Sequence, residues 1–259
     1  MLSLVRCEFL KLKRKKFILF VILAACLFPI PFTLLVLKGS LGSIGAYDGL
    51  FGLIITYGAP LMLPVIIGIV AAMLFFMERD NDTLKNLRTI PVSSARIATA
   101  KLIVLFIFGF IFSMASVGSS MVSGLLVGGI NDIFIKLGIS ALTGLLLTAG
   151  TLPVIIAIVY FNRSYVFSIL VVVFYAIFNF GMTMLGMTST SPVMRLLGNI
   201  LPAPIIYRWQ MNFFVTPEDS FYSIISPYIL PLPVVAVTIC IIALLSYAVI
   251  VLVYRKRES

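Results

Sequence analysis

Six stretches of this sequence run for 21 to 28 residues without a single Asp, Glu, Lys or Arg: 17–37, 50–77, 102–127, 138–161, 165–188 and 229–254. The hydrocarbon core of a bilayer is crossed by about 20 apolar residues in helical form. The segments between them, 1–16, 38–49, 78–101, 128–137, 162–164, 189–228 and 255–259, cannot bury a water-soluble core of their own. The expectation is an all-α integral membrane protein with six transmembrane helices, forming a single membrane domain over 1–259. Composition points the same way. The chain is 61% hydrophobic and 11% charged, with mean hydropathy +1.18, where a soluble domain carries about 25% charged residues.

Charge placement predicts the orientation. Segments 1–16, 78–101, 162–164 and 255–259 alternate with the rest in topology, and they hold fifteen of the nineteen Lys and Arg residues. The other set has only Lys38, Lys136, Arg195 and Arg208. The positive-inside bias therefore places both termini in the cytoplasm. The net charge of +10 is accounted for as an orientation signal with some contact to anionic lipid, so no nucleic-acid partner is expected. Leu23-Ala24-Ala25-Cys26 imitates a lipoprotein signal, but the chain stays apolar through Leu37, which reads as an uncleaved first span.

What is missing also constrains function. There is no histidine, and Cys7, Cys26 and Cys240 stand far apart. They read as buried small apolar residues, with neither a disulfide framework nor a metal cluster. No titratable group lies in any predicted span, which leaves a proton-coupled carrier without its relay. The adjacent acids Glu78/Asp80/Asp82 and Glu218/Asp219 fall in loops, and no nucleophile–base set stands out. No lysine is followed by Ser or Thr, so no phosphate-binding loop of the Gly-Lys-Ser/Thr kind exists. The chain is expected to be no enzyme and to bind no cofactor, and any uphill work needs a second polypeptide.

The spans do carry small residues at helical spacing. Gly52, Thr56, Pro60, Pro64, Gly68 and Ala72 recur every four residues, as do Ser116, Ser120, Gly124 and Gly128. Such ladders let helix backbones approach closely, either inside one bundle or also along a seam between protomers. Pro60 and Pro64 each remove a backbone donor and are expected to distort the second span. The fifth span is aromatic (Phe167, Phe174, Tyr175, Phe178, Phe180). Its deep amide Asn179 needs a partner, from a neighbouring helix or from a cavity that accepts amphipathic cargo.

Two basic-side segments have patterns of their own. Leu2, Val5, Phe9 and Leu12 share one arc of a helix over 1–16, as in a helix lying in the interface. In 78–101, Asn81 or Asp82 can cap a short helix that Pro91 ends, and Ser93 or Ser94 can cap the helix leading into the third span. Leu84 and Leu87 form a small apolar ridge with charged flanks. That pattern suits a connector lying on lipid, or a knob seated in a partner's groove.

The run Glu78…Asn81-Asp82-Thr83-Leu84-Lys85-Asn86-Leu87…Ile90-Pro91-Val92-Ser93, directly after a second span, resembles the cytoplasmic loop of ABC type-2 permeases. Glu8 with Lys11, Lys13 and Arg14 resembles their N-terminal connecting helix. Asn-Asp-Thr-Leu-Lys-Asn-Leu is similar to the subgroup that exports bacitracin and lantibiotics for self-immunity. The resemblance implies a type II ABC exporter-like fold and a coupling helix that seats in a separate ATPase. The ATPase-coupling residues are then Glu78, Asp82, Thr83, Leu84, Lys85, Leu87, Arg88 and Pro91. It also implies short re-entrant helices in the extracellular segment 189–228. Cargo would pass between the second and fifth spans of two facing permeases, along Thr56, Tyr57, Phe174, Phe178 and Asn179, with Gly52, Pro60, Pro64, Gly68, Ser116, Ser120 and Gly124 packing the helices.

The expectation is therefore a permease subunit in a bacterial cell (cytoplasmic) membrane, with a second permease, identical or sibling, as its partner. A cytoplasmic ABC ATPase dimer holding ATP and magnesium would drive export of an amphipathic antimicrobial peptide or lipid-linked molecule. The alternative is a membrane scaffold or sensor that transports nothing.

Overall fold

An apolar medium offers backbone N–H and C=O groups no water, so each apolar run closes its own hydrogen bonds as helix. The computed structural model describes residues 1–13, 17–39, 45–80, 92–161, 164–189, 191–215, 217 and 222–258, and helices are the only regular structure among them. In chain order they are α1 (Leu2–Lys13), α2 (Phe17–Leu27), α3 (Pro29–Lys38), α4 (Ala46–Leu53), a π-helical turn (Ile54–Gly58), α5 (Ala59–Asp80), α6 (Ser94–Val127), α7 (Ile133–Phe161), α8 (Tyr165–Thr188), α9 (Pro192–Ile200), α10 (Pro202–Gln210) and α11 (Leu232–Glu258). Single helical turns lie between α10 and α11.

Among the described residues five apolar helices are long enough to cross a membrane: Ala46–Phe76, Ser94–Val127, Ile133–Phe161, Tyr165–Leu185 and Leu232–Lys256. The first expected span, 17–37, is instead divided into α2 and α3. Pro29 and Pro31 lack the N–H groups that would bond the carbonyls of Ala25 and Leu27. Phe28 between them keeps helical angles (φ −56°, ψ −37°), and its N–H reaches Ala24 O at 2.9 Å. Neither half has the length of a span.

α7 is the central helix. Of its apolar window, 72% is buried inside the chain, against 33% for α8 and 22% for α11. It packs on α5, α6 and α11. Glycines let the backbones approach. A Cβ on Gly109 of α6 would lie 1.9 Å from Thr148 Oγ1 of α7, and one on Gly144 would lie 2.6 Å from Ser113 Cβ. The ladder residues meet partners within the same chain. A Cβ on Gly68 of α5 would stand 2.3 Å from Val172 Cγ1 of α8, one on Gly124 would stand 2.7 Å from Tyr47, and one on Gly52 would stand 3.3 Å from Phe214. Ser116 and Ser120 are buried between α6 and its neighbours. Gly128 and Gly129, at φ +130° and +124°, reverse the chain between α6 and α7 where a side chain would be strained.

The second span shows how its prolines are accommodated. The Ala59 N–H bonds Ile54 O, five residues back. In that wider register Pro60 would donate to Ile55 O, and it has no N–H. Gln210 Nε2, at the end of α10, reaches that carbonyl at 3.4 Å and Thr143 Oγ1 at 3.2 Å. π turns of this kind are rare and locally unwind a helix.

Several expectations are corrected. The bundle is not free of ionisable groups. α6 starts at Ser94 and α7 at Ile133, so Lys101 and Lys136 lie inside long helices and are 0% and 5% exposed. Helical geometry continues past the hydrophobic edge because partners satisfy both ammonium groups. α5 likewise runs on to Asp80, which puts Glu78 and Asp80 on a helix and not in a loop. In α1, Leu12 is buried, but Leu2 is 88% exposed while Glu8 is 5% exposed, so the buried stripe includes an acid and docks on protein. Cys7, Cys26 and Cys240 are exposed, not buried. In a membrane bundle an apolar side chain can face outward without penalty, so small and apolar does not imply inside.

Gly68→Ala is expected to lower stability in detergent by about 1–3 kcal/mol through overpacking. Adding Val172→Ala should recover much of that loss, because the clash is with this one side chain. Thermal unfolding of the two single variants and the double variant measures the coupling.

Candidate functional site

One end of the bundle brings together α1, the end of α5, the start of α6, the start of α8 and the end of α11. α1 packs on α6, Phe75 near the end of α5 meets Tyr254 of α11 at 5.9 Å, and Phe76 meets Tyr165 at the start of α8 at 5.9 Å. Here α5 and α6 are the two stems of the segment 81–91. Lys101 of α6 donates to the Leu74 carbonyl of α5 at 2.9 Å and to Glu8 Oε2 of α1 at 2.9 Å. Lys11 also pairs with the Glu8 carboxylate, one turn along α1. The Lys101 ammonium lies 5.5 Å from the Phe75 ring centre, and Phe9 stacks on Phe108 with centroids 5.6 Å apart. Glu8 and Lys101 thus join α1, α5 and α6 into a tripod at the ends of the two stems.

A buried charge costs several kcal/mol unless paired, and here both charges are paired. Burial pushes the Glu8 carboxyl up, but Lys101 and then Lys11 outweigh it and hold it below the ordinary carboxylate value of 4.5. The sequence pattern places Glu8 in a connecting helix and Lys101 just outside the predicted span 102–127, with no sign that the two meet. The available signal was a single acid among the basic residues of 1–16 and a lysine one residue ahead of an apolar run.

At the opposite end Lys136 Nζ bonds Asp48 Oδ1 at 2.6 Å and Asn131 O at 3.1 Å, and it lies 4.3 Å over the Tyr47 ring. Asn131 Nδ2 donates to Asp48 Oδ2 at 2.8 Å. This cluster ties α4 to the turn between α6 and α7.

Of the expected coupling residues, Asp82, Thr83, Leu84, Lys85, Leu87, Arg88 and Pro91 lie outside the described residues. Glu78 lies in the last turns of α5. The expected cargo-path residues divide into two groups. Thr56 and Asn179 are buried, while Tyr57, Phe174 and Phe178 are exposed. Thr56 Oγ1 donates to Gly52 O at 2.6 Å. Asn179 Nδ2 donates to Tyr175 O at 3.1 Å, and its Oδ1 accepts from the Ala203 N–H at 3.4 Å, so this amide caps the start of α10. The space beside Asn179, next to Pro64 and Tyr175, is about 10 Å³, room for one water at most. Tyr57 meets Phe180 edge to face at 6.4 Å, and Phe174 stacks with Phe178 at 6.1 Å. α10 is the element the sequence resolved least. Buried Pro202, Ala203, Pro204, Ile205, Ile206, Trp209 and Gln210 insert it among α7, α8 and α11. Among the described residues no group of three or more Cys, Asp or Glu comes together, and no metal role is assigned.

Glu8→Gln should lower the stability of the detergent-solubilised protein by about 1–3 kcal/mol at neutral pH, because Lys101 and Lys11 lose the carboxylate that both of them bond. The folded-state carboxyl titrates below its ordinary value, so this stabilisation is present in full above pH 4.5. It is lost as pH falls through the lowered value. Thermal midpoints measured against pH should converge for the two proteins in acid.

Comparison with known families found a match to the family described as ABC-2 family transporter protein, covering residues 4–179, more than half of the chain. Comparison with curated proteins found no match.

Proposed function

Because this chain belongs to the ABC-2 transporter family, we propose that it is the permease subunit of an ATP-binding cassette exporter, driven by a separate ATPase. Family membership and the five long apolar helices make it a multi-pass membrane protein. The observation that carries the exporter reading is the family match itself, which runs through α1, the 81–91 segment and both of its stems. The Glu8–Lys101–Leu74 tripod supports it. A partner pressing on a stiff segment moves a bundle only if the stems transmit the load, and here they are bonded to each other. The described helix ends that flank the four basic segments share this end, and the positive-inside bias supports reading it as the cytoplasmic one.

In this reading two ATPase subunits bind ATP and magnesium and close. The 81–91 segment is displaced, and the bundle changes between inward- and outward-open states. Docking biases that equilibrium only through a difference in affinity for the two states. A second permease, identical or sibling, faces this one across α5 and α8. The low burial of α8 and the exposure of Tyr57, Phe174 and Phe178 leave an aromatic surface for cargo. The cargo is an amphipathic peptide of the bacitracin or lantibiotic kind, or a lipid-linked molecule, taken from the membrane of a bacterial cell.

Co-expression with an ATPase encoded beside this gene should give a complex whose ATP hydrolysis responds to the permease. Leu84→Asp with Leu87→Asp should weaken that association about tenfold or more while the protein still inserts. Normal binding and stimulation by the double variant would refute the docking assignment. A permease that gathers no ATPase at all would be a scaffold or sensor. Cells carrying the complex should survive higher bacitracin or lantibiotic concentrations, and a hydrolysis-dead ATPase should remove the protection.

A further inference from the structure

Between α9, α10 and the turn at Pro227–Tyr228 lies a cleft of about 230 Å³, whose wall includes Arg195, Asn199, Arg208 and Tyr228. It is at the end of the bundle away from α1. α8 starts beside Phe76 at the α1 end, and its 24 residues run the length of the bundle before α9 follows. Arg208 is held in place. Its Nε donates to Tyr228 O at 2.6 Å and its Nη1 to Asn199 Oδ1 at 2.6 Å. Both acceptors are uncharged, so these bonds orient the guanidinium without neutralising it. Arg195, on the preceding helix, brings a second guanidinium to the same cleft, with its Nε 3.3 Å from Ser189 O. No carboxylate lines the cleft among the described residues.

A guanidinium fixed by neutral acceptors is preorganised. Its remaining N–H groups form a planar fork that matches two oxygens of a phosphate. Beside the cleft, Val193, Leu196 and Ile200 share one face of α9 at a spacing of three and four residues and are 62%, 58% and 55% exposed. An exposed apolar strip next to two cationic groups complements an amphiphile with an anionic head, where a bare anion would use only the cations.

We propose that the Arg195–Arg208 cleft binds the phosphate of an amphiphile's headgroup at the bundle end opposite α1. The site needs neither an ATPase nor transport, so its test is separate from that of the exporter reading.

The test titrates the full-length protein, in an uncharged detergent, with dihexanoyl phosphatidylglycerol, dihexanoyl phosphatidylcholine and inorganic phosphate, and counts bound ligand by native mass spectrometry. Phosphatidylglycerol is expected to bind about tenfold tighter than either of the others. Arg195→Gln with Arg208→Gln should remove about tenfold or more of that affinity, since each charged hydrogen bond is worth a factor of this order. Arg208→Lys should retain more affinity than Arg208→Gln. Unchanged thermal unfolding of the variants shows that the fold is intact. If the double variant does not fold, Arg195→Gln alone is read, with a loss of about threefold expected. Equal binding of the two lipids, binding unchanged in Arg195→Gln, or no binding of phosphatidylglycerol overturns the proposal. Inorganic phosphate binding as tightly as the anionic lipid overturns the amphiphile assignment and leaves a site for free phosphate.

Discussion

In an apolar bundle backbone groups and buried charges have to find partners inside the protein, and this demand shapes the molecule more than any single hydrophobic contact. It makes the long runs helical. It also explains the exceptions. Where Pro60 fails to supply a donor, the helix takes a π turn and the Gln210 side chain reaches the Ile55 carbonyl. Where α10 begins with Pro202, the next free N–H, that of Ala203, is taken up by Asn179. α10 is therefore held inside the bundle by the Asn179 amide of α8 and by its own Gln210 amide, and its buried apolar residues follow. A short helix with three polar anchors does not need the length of a span.

The same demand governs charge. Lys101 and Lys136 are each buried and each paired, one at either end of the bundle. They act as clamps between elements that diverge in sequence. Lys101 joins the stems of the 81–91 segment and α1, while Lys136 joins α4 to the α6–α7 turn. Between the clamps the helices are drawn together by glycine contacts at Gly68, Gly109 and Gly144. Hydrophobic burial has little to add there, because lipid is as apolar as the interior.

Burial is also unequal around the bundle. α7 is enclosed, whereas α8 and α11 turn most of their surface outward. In water such surfaces would be a liability; in a membrane they can face lipid. The same reasoning accounts for the outward cysteines and for the exposed stacked pair Phe174 and Phe178.

The sequence by itself determined the helical class and the long apolar elements, because run length is a local property that the bilayer reads directly. It also marked Gly68 and Gly124 as points of close approach, since a four-residue ladder survives in any helix packing. The family resemblance, drawn from the 78–93 run, agrees with the match over 4–179. Only the tertiary structure decided that Glu8 meets Lys101, 93 positions away. It alone placed Gln210 at the Ile55 carbonyl, made Asn179 a cap for α10, and set Arg195 and Arg208 on one cleft. Each of these pairings depends on which helices become neighbours and at what rotation, and no local pattern of apolar and polar residues contains that information.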